Sequence, residues 1–303
     1  MAIVFLAASI PGASQPPETV KVETPVYVVD GPVTQPPTRW TYRFSWSRFL
    51  SVGEVSVTAG ESGDAEDREI DIWVRGKTGR IVDWIWKYRI NGQGTVGLDP
   101  FRPQRFEVHD TVERRSKITR VEFNGDGEVH AYRNKRGTVR ESRFEAPNTY
   151  DMGSTIFLVL NQDLTIGEHL KIDLLAGTSR YLIHVRPVAR EEVKAAGQRF
   201  DAIKLLITSE DLTDPEDTAK HRETELWVSE EKPRMLLRAR AKLWVGAVRA
   251  ELASIDQPPS WPDAPPEIDL DIDRRREEQL ERERLEEERS GGARSGGSPM
   301  RPR

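Results

Sequence analysis

The sequence predicts a mainly β fold, either a curved antiparallel sheet or an open barrel-like fold, with one short helix and a charged C-terminal tail. Three observations support this prediction. Apolar and polar residues alternate with the period of two that is typical of strands in many segments between residues 39 and 256. Turn residues, such as those of Asn124-Gly125-Asp126-Gly127, separate these segments. After residue 256 the composition changes abruptly and charged residues dominate.

Length and composition favour one globular domain with non-globular ends. The chain has 303 residues, of which 37% are hydrophobic, and its eight Trp residues add to what can form a core. All-β domains commonly reach about 200–250 residues as one unit, which is the size of the stretch from 39 to 256. The net charge of −5 argues against a nucleic-acid partner. The chain has no Cys, and its five His residues lack metal-ligand spacing, so we expect neither a metal site nor a cofactor.

The N-terminal residues indicate export. Residues 1–14 consist of an apolar run followed by small residues, which resembles the second half of a signal peptide without its positively charged start. The apolar run is too short to span a bilayer, so we expect no transmembrane span. Residues 15–38 are rich in Pro, Thr and Val and are predicted to form an extended linker. We therefore expect a periplasmic protein.

The β domain is predicted to begin with an aromatic strand. Trp40, Tyr42, Phe44 and Trp46 alternate with polar residues, as in a strand with one buried face. The same reasoning predicts further strands in series, and it interprets residues 92–94 (Gly-Gln-Gly) as a turn. These strands are expected over residues 54–59, 69–74, 81–90, 104–109, 116–123, 128–133, 138–140, 164–175, 179–188, 200–209 and 243–252.

The pattern changes once within the domain, at residues 149–160. This stretch ends in a long apolar run that is compatible with either a short helix or a buried strand. We favour the helix, with Asn148 or Thr149 as its N-cap.

Residues 223–240 predict a β-hairpin whose turn contains Lys232-Pro233. Placing Val228 opposite Met235 brings apolar residues together on one face. On the other face, this register pairs Glu225 with Arg238 and Glu223 with Arg240. It also places Trp227 on the charged face, so the hairpin is expected to be part of the scaffold.

The order of these features resembles the DUF3108 family of bacterial envelope proteins, whose function is uncharacterised. The resemblance covers residues 40–255. It rests on five segments in order: the aromatic first strand leading to Gly53-Glu54-Val55, residues 81–106 with their Pro100/Pro103 break, residues 152–168, residues 197–204, and residues 226–231 with the return strand and Gly246. The family often has an Arg after the apolar run, where this chain has Leu160-Asn161-Gln162. The resemblance implies an exported, mainly antiparallel β protein and brings no established activity.

The residues that best fit a binding site are aromatic. In the predicted strand 81–90, Trp84, Trp86 and Tyr88 share one face. This face is either part of the core or a concave apolar surface for a ligand. The leading hypothesis is a non-enzymatic envelope protein that binds a lipid, glycan, peptide or envelope protein partner on the concave side of the sheet.

Two further hypotheses remain open at this point. His109 and Asp110, together with Glu113, contain the groups that a hydrolase needs for general acid–base catalysis. Alternatively, the charged tail, which we assign to residues 257–303 and whose densest part is residues 267–289, docks on a partner protein.

Overall fold

The structure is a computed structural model that describes residues 24–29, 35–46, 50–63, 67–84, 86–98, 100–113, 115–212, 223–243 and 246–257. The predicted signal peptide (1–14) and all but the first residue of the predicted tail (257–303) lie outside these ranges. Part of the predicted linker is described and contacts the domain. The Tyr27 hydroxyl donates a hydrogen bond to the Lys171 carbonyl, and the Val28 carbonyl accepts one from the Gln162 amide.

The described residues form fifteen strands and two helices. The strands are β1 (Thr38–Trp46), β2 (Leu50–Ser62), β3 (Glu69–Thr78), β4 (Tyr88–Leu98), β5 (Phe101–Val112), β6 (Arg115–Phe123), β7 (Glu128–Lys135), β8 (Thr138–Glu145), β9 (Thr149–Asp151), β10 (Leu170–Ala176), β11 (Ser179–Ala195), β12 (Gln198–Asp211), β13 (Thr224–Ser229), β14 (Leu236–Leu243) and β15 (Gly246–Asp256). The helices are α1 (Arg80–Asp83) and α2 (Met152–Asn161).

All fifteen strands belong to one sheet, in the order β8-β7-β6-β5-β4-β3-β2-β1-β15-β14-β13-β12-β11-β10-β9. Neighbouring strands are antiparallel except β9 and β10. Strand β1 pairs with β15, so the first and last strands meet in the middle of the sheet. The predicted mainly β, antiparallel fold is confirmed.

The sheet is rolled so that its two ends overlap. Successive residues of a strand point to opposite faces, yet Leu174 and Leu175 of β10 are both buried. Leu174 belongs to the main core, whereas Leu175 packs with Val121, Val129 and other residues of β6–β8 and the adjoining turn. One face of β10 therefore lies on the inside of the roll, and the other is covered by β6–β8.

Helix α2 lies on the concave face of the sheet and fills the inside of the roll. Its Phe157 and Leu158 belong to the same buried cluster as Ile72, Phe106 and Ile172 of the surrounding strands. Burial of one such side chain stabilises a fold by about 1.5–3 kcal/mol. The apolar run of α2 therefore contributes to the core.

The helix predicted over residues 149–160 is confirmed, but its start differs from the prediction. The chain first forms the short strand β9, and α2 begins at Met152 with Asp151 as its N-cap. The Asp151 carboxylate accepts hydrogen bonds from the backbone N–H groups of Gly153 and Ser154, at 2.7 and 3.1 Å. Asn148 and Thr149 are not the cap, because Thr149 is the first residue of β9 and Asn148 precedes it.

The strand predicted over residues 81–90 is wrong in its first half. Residues 80–83 form α1, and β4 begins only at Tyr88. The turn predicted at residues 92–94 is also wrong, since these residues lie within β4. Gly92 and Gly94 serve close packing there. A Cβ atom would lie 3.1 Å from Val108 Cγ2 at Gly92 and 3.2 Å from Phe106 Cδ2 at Gly94.

The predicted hairpin is formed by β13 and β14, but its register differs. Val228 pairs with Leu236, not Met235. A bulge between Trp227 and Val228 shifts the partners of the preceding β13 residues by two from the predicted register. Glu225 consequently pairs with Arg240, not Arg238, and its carboxylate lies 3.1 Å from the Arg240 guanidinium.

Trp227 shares the charged face of the hairpin, as predicted, yet it is buried. Its ring lies between two cations. Lys204 Nζ is 5.1 Å from the ring centroid and the Arg238 guanidinium is 5.6 Å from it. This arrangement allows cation–π attraction between the ring and each cation, which supports a scaffold role for the hairpin.

Candidate functional site at the α1 end of the roll

Helix α1 and the segments that join several strands lie at one end of the roll, which we call the α1 end. Helix α1 follows β3 and precedes β4. Because neighbouring strands are antiparallel, the end of β5, the start of β6, the end of β7 and the start of β8 lie at this same end.

Helix α1 is held in place by hydrogen bonds on both sides. The Asp83 carboxylate accepts hydrogen bonds from the Arg89 guanidinium, at 2.9 and 2.5 Å, and from the Thr78 hydroxyl. These contacts, first that with Arg89 and then that with Thr78, hold the pKa of Asp83 well below its usual range. The backbone N–H of Gly79 also donates to the Val52 carbonyl. The segment that follows is thus anchored at its start.

Aromatic and apolar side chains project from this anchored segment. Trp84 is 92% exposed and Ile81 is 76% exposed. The Trp86 ring stacks on Tyr88, with 5.7 Å between the ring centroids. We call Ile81, Trp84, Trp86 and Tyr88 the aromatic rim.

Tyr88 connects the aromatic rim to the inner face of the sheet. It lies on the same face of β4 as the buried Ile90, which pairs with Asp110 of β5. Burial raises the pKa of the Tyr88 hydroxyl, and the nearby Asp110 carboxylate raises it further. The three predicted site residues thus have different environments: Trp84 is in solvent, and the Trp86–Tyr88 stack leads into the mouth of the roll.

Exposed apolar side chains are concentrated at the α1 end. Among the described residues, eight large apolar side chains are exposed, and four of them lie here. These four are Leu50, Ile81, Trp84 and Val139. Clusters of exposed apolar residues mark binding surfaces more often than single ones do.

The concave face itself offers little room. Helix α2 occupies it, and the cavity between α2 and the strands that carry Trp40, Tyr42 and Ile72 has a volume of about 50 Å³. This volume holds a few water molecules. A larger groove of about 550 Å³ lies at the opposite end of the roll. On its wall, Arg68 forms an ion pair with Glu61 at 3.0 Å.

The structure does not bring His109, Asp110 and Glu113 together. His109 and Asp110 are consecutive in β5, so they point to opposite faces. His109 Nε2 lies 2.7 Å from the Ser116 hydroxyl, whereas the Asp110 carboxylate is buried and lies 2.8 Å from Lys117 Nζ. Glu113 is exposed in the turn after β5. The acid and the base of a general acid–base mechanism must both reach one bound substrate, and side chains on opposite faces of β5 do not.

A pair of histidines that the sequence did not reveal lies on β11 and just before β10. His169 Nε2 and His184 Nδ1 are 2.9 Å apart, and His184 Nε2 is 3.0 Å from the Glu210 carboxylate. Partial burial, followed by the neighbouring His184, lowers the pKa of His169. Within the described ranges, no group of three or more His, Cys, Asp or Glu residues has the arrangement of a metal site.

Neither described helix is both long and apolar enough to cross a membrane. The fold and the α1 end define a rolled antiparallel sheet around one helix, with an aromatic surface at one mouth. The family model described as "Protein of unknown function (DUF3108)" matches residues 41–253. This match covers more than half of the chain, so the chain belongs to the DUF3108 family. A comparison with curated proteins found no match.

Three of the solved structures that match this chain are bacterial proteins of low sequence identity. A β-barrel-like DUF1849 protein of Brucella abortus has a TM-score of 0.49 at 9% identity, covering 75% of this chain and 100% of its own. A candidate lipoprotein of Parabacteroides distasonis has a TM-score of 0.32 at 8% identity, with coverages of 75% and 100%. A candidate exported protein with a YmcC-like fold from Bacteroides fragilis has a TM-score of 0.30 at 7% identity, with coverages of 74% and 97%.

Proposed function

We propose that this chain is an exported, non-enzymatic protein of the bacterial envelope that binds lipid through the aromatic rim at the α1 end. The observation that carries the proposal is the exposure of Trp84 and Ile81 on a segment that hydrogen bonds hold in place. A soluble surface does not require a Trp that is 92% exposed. Trp is the side chain best suited to a boundary between water and acyl chains, because its large ring is apolar and its N–H is polar.

Several features support a lipid ligand at the mouth of the roll. The interior of the roll is filled by α2, so an apolar ligand is more readily accommodated at the mouth. Leu50 and Val139 extend the apolar surface on the same end. The apolar run in residues 1–14, with its likeness to a signal peptide, supports export to a compartment bounded by membranes.

The proposal is tested by flotation of the purified protein with phospholipid vesicles, comparing Trp84→Ser with the unaltered protein. A Trp side chain buries about 150–250 Å² when fully enclosed. At about 25 cal/mol per Å², partial burial gives about 2 kcal/mol, or roughly a thirtyfold change in partitioning. We expect Trp84→Ser to weaken vesicle binding by about this factor and to leave the melting temperature unchanged.

Ile166→Ser is the matched control. Ile166 is also an exposed large apolar residue, but it lies in the loop before β10, at the opposite end of the roll. We expect Ile166→Ser to bind vesicles as the unaltered protein does. Equal binding by Trp84→Ser and Ile166→Ser, or loss in both, would contradict a site at the aromatic rim.

A further inference from the structure

Beside the aromatic rim, the inner face of β6–β8 changes from apolar to cationic. Along β7 this face carries the buried Val129 and Ala131, and then Arg133 and Lys135 towards the α1 end. Of the four cross-strand partners of the last two, Lys117 of β6 and Arg140 of β8 are cations, and the other two are Thr residues. We call Lys117, Arg133, Lys135 and Arg140 the cationic cluster.

The register places like charges directly opposite one another. Lys117 pairs with Lys135, and Arg133 pairs with Arg140. Directly opposite residues in an antiparallel pair have Cβ atoms about 4.5–5.5 Å apart, and like charges there are destabilising. A sheet selected for stability alone would alternate the signs of charge at such positions.

Little negative charge offsets this cluster. The Asp110 carboxylate lies 2.8 Å from Lys117 Nζ. For Arg133, Lys135 and Arg140 the described part of the chain provides no ion pair. Burial lowers the pKa of Lys135, and the neighbouring cations, Arg133 first, lower it further. The same causes, burial and then Arg140, lower the pKa of Arg133. Concentrated positive charge in a partly buried place favours binding of an anion.

We propose that the cationic cluster binds the phosphate-bearing head group of an anionic phospholipid whose acyl part lies against the aromatic rim. This inference rests on the proposed function, which it deepens by naming the class of lipid. The two surfaces are continuous, because Ile90, Asp110, Lys117 and Lys135 are successive cross-strand partners from β4 to β7. Tyr88, two residues from Ile90 on the same face, joins this row to the rim.

The chemistry of the cluster fits a phosphate. The guanidinium groups of Arg133 and Arg140 present planar pairs of N–H donors, which match two oxygens of a phosphate. Lys135 adds a point charge close by. A zwitterionic head group also carries a choline or ethanolamine cation, which this cluster repels. The arrangement therefore favours a lipid with net negative charge.

The test measures vesicle binding of Lys135→Gln/Arg140→Gln with two lipid compositions, pure phosphatidylcholine and phosphatidylcholine with phosphatidylglycerol. Each cation near an anionic surface changes the affinity by about fivefold, so the double variant is expected to bind the anionic vesicles about 25-fold more weakly. Binding of the unaltered protein to the anionic vesicles is expected to weaken as salt is added. Lys194→Gln is the matched control, since Lys194 is an exposed cation of β11 at the opposite end of the roll.

The melting temperature separates binding from folding. Removing Lys135 and Arg140 relieves two like-charge contacts, so the double variant is expected to melt at the same temperature as the unaltered protein or higher. A variant that binds more weakly while folding at least as well supports a ligand site. A fall in melting temperature that accounts for the loss of binding would overturn the inference.

The remaining outcomes distinguish the two proposals. Equal binding to both vesicle compositions, with Trp84→Ser still weakened, would overturn the anionic head group and leave the lipid site in place. No binding of the unaltered protein to either composition would overturn both proposals. Displacement from anionic vesicles by millimolar inorganic phosphate at constant ionic strength would identify a free anion, not a lipid head group, as the ligand of the cluster.

Discussion

Replacing Asp151 with Asn is expected to change how the stability of the protein depends on pH. Asp151 is the N-cap of α2, and it is 2% exposed. Burial raises the pKa of its carboxyl group to about 6, although hydrogen bonds from Ser154 and the backbone oppose this effect. The usual pKa of such a group is 3.8. The folded protein therefore holds the proton more tightly than the unfolded chain does.

The magnitude follows from this difference. Each pKa unit is worth about 1.4 kcal/mol, so a rise from 3.8 to about 6 corresponds to about 3 kcal/mol. Because the folded-state pKa is raised, this contribution to stability is fully present below pH 3.8 and is lost as the pH rises through about 6. Asp151→Asn keeps an oxygen that can accept the two backbone hydrogen bonds of the cap and removes the charge.

The assay is urea denaturation followed by tryptophan fluorescence at several pH values between 4 and 7, since the free energy of unfolding extrapolates linearly from urea. Relative to Asp151→Asn, the unaltered protein is expected to lose about 2 kcal/mol of stability across this range, most of the full difference. Asp201→Asn, which removes an exposed carboxylate of β12, is the control and is expected to follow the unaltered protein. Parallel curves for the unaltered protein and Asp151→Asn would refute the reasoning.

Two other substitutions test contacts that hold the roll together. Arg180 and Asp173 form an ion pair with side chains only 5% and 4% exposed, so Arg180→Met is expected to cost about 3–5 kcal/mol in urea denaturation. The double variant Arg180→Met/Asp173→Leu is expected to recover much of this loss, and a double variant no more stable than Arg180→Met would contradict the ion-pair explanation. Trp227→Leu removes a ring that lies between two cations and is expected to lower the free energy of unfolding by about 1–3 kcal/mol. An unchanged urea midpoint would show that the ring contributes nothing there.

The fold class could be predicted because it depends on local patterns. The alternation of apolar and polar residues along each strand and the turn at residues 124–127 were sufficient to predict a mainly antiparallel sheet. The register of the hairpin formed by β13 and β14 was not predicted, because the bulge between Trp227 and Val228 has no signal in the sequence. The prediction of which hairpin residues share a face of the sheet was nevertheless correct. Glu225 pairs with Arg240 and not with the predicted Arg238. This difference of two residues keeps the partner on the same side of the sheet.

The start of β4 shows how a tertiary contact overrides a local pattern. Residues 81–90 alternate well enough for a strand, but Asp83 accepts hydrogen bonds from Thr78 and Arg89, which favours a helical turn before the strand. The predicted strand is therefore right for Tyr88, which begins β4, and wrong for Trp84 and Trp86, which precede it. Whether they bind a ligand remains a prediction.

The cationic cluster was missed, although part of its signal was present in the sequence. The turn at residues 124–127 centres a hairpin in which Lys117 lies opposite Lys135. The turn that contains Gly137 likewise places Arg133 opposite Arg140. Counting outward from both turns would have brought the four cations together on one face. The overlap of the two ends of the sheet, which partly buries Arg133, could not be derived in this way.

Quenching of Trp84 fluorescence by brominated lipid tests directly whether the aromatic rim contacts acyl chains. Anionic vesicles with bromine atoms on their acyl chains quench only those Trp rings that contact the acyl region. We expect stronger quenching of the unaltered protein than of Trp84→Phe, because the Phe variant keeps an aromatic ring at residue 84 but lacks the more exposed of the two indoles of the rim. Equal fractional quenching of the two proteins, or no quenching of either despite binding, would contradict a lipid site at the α1 end.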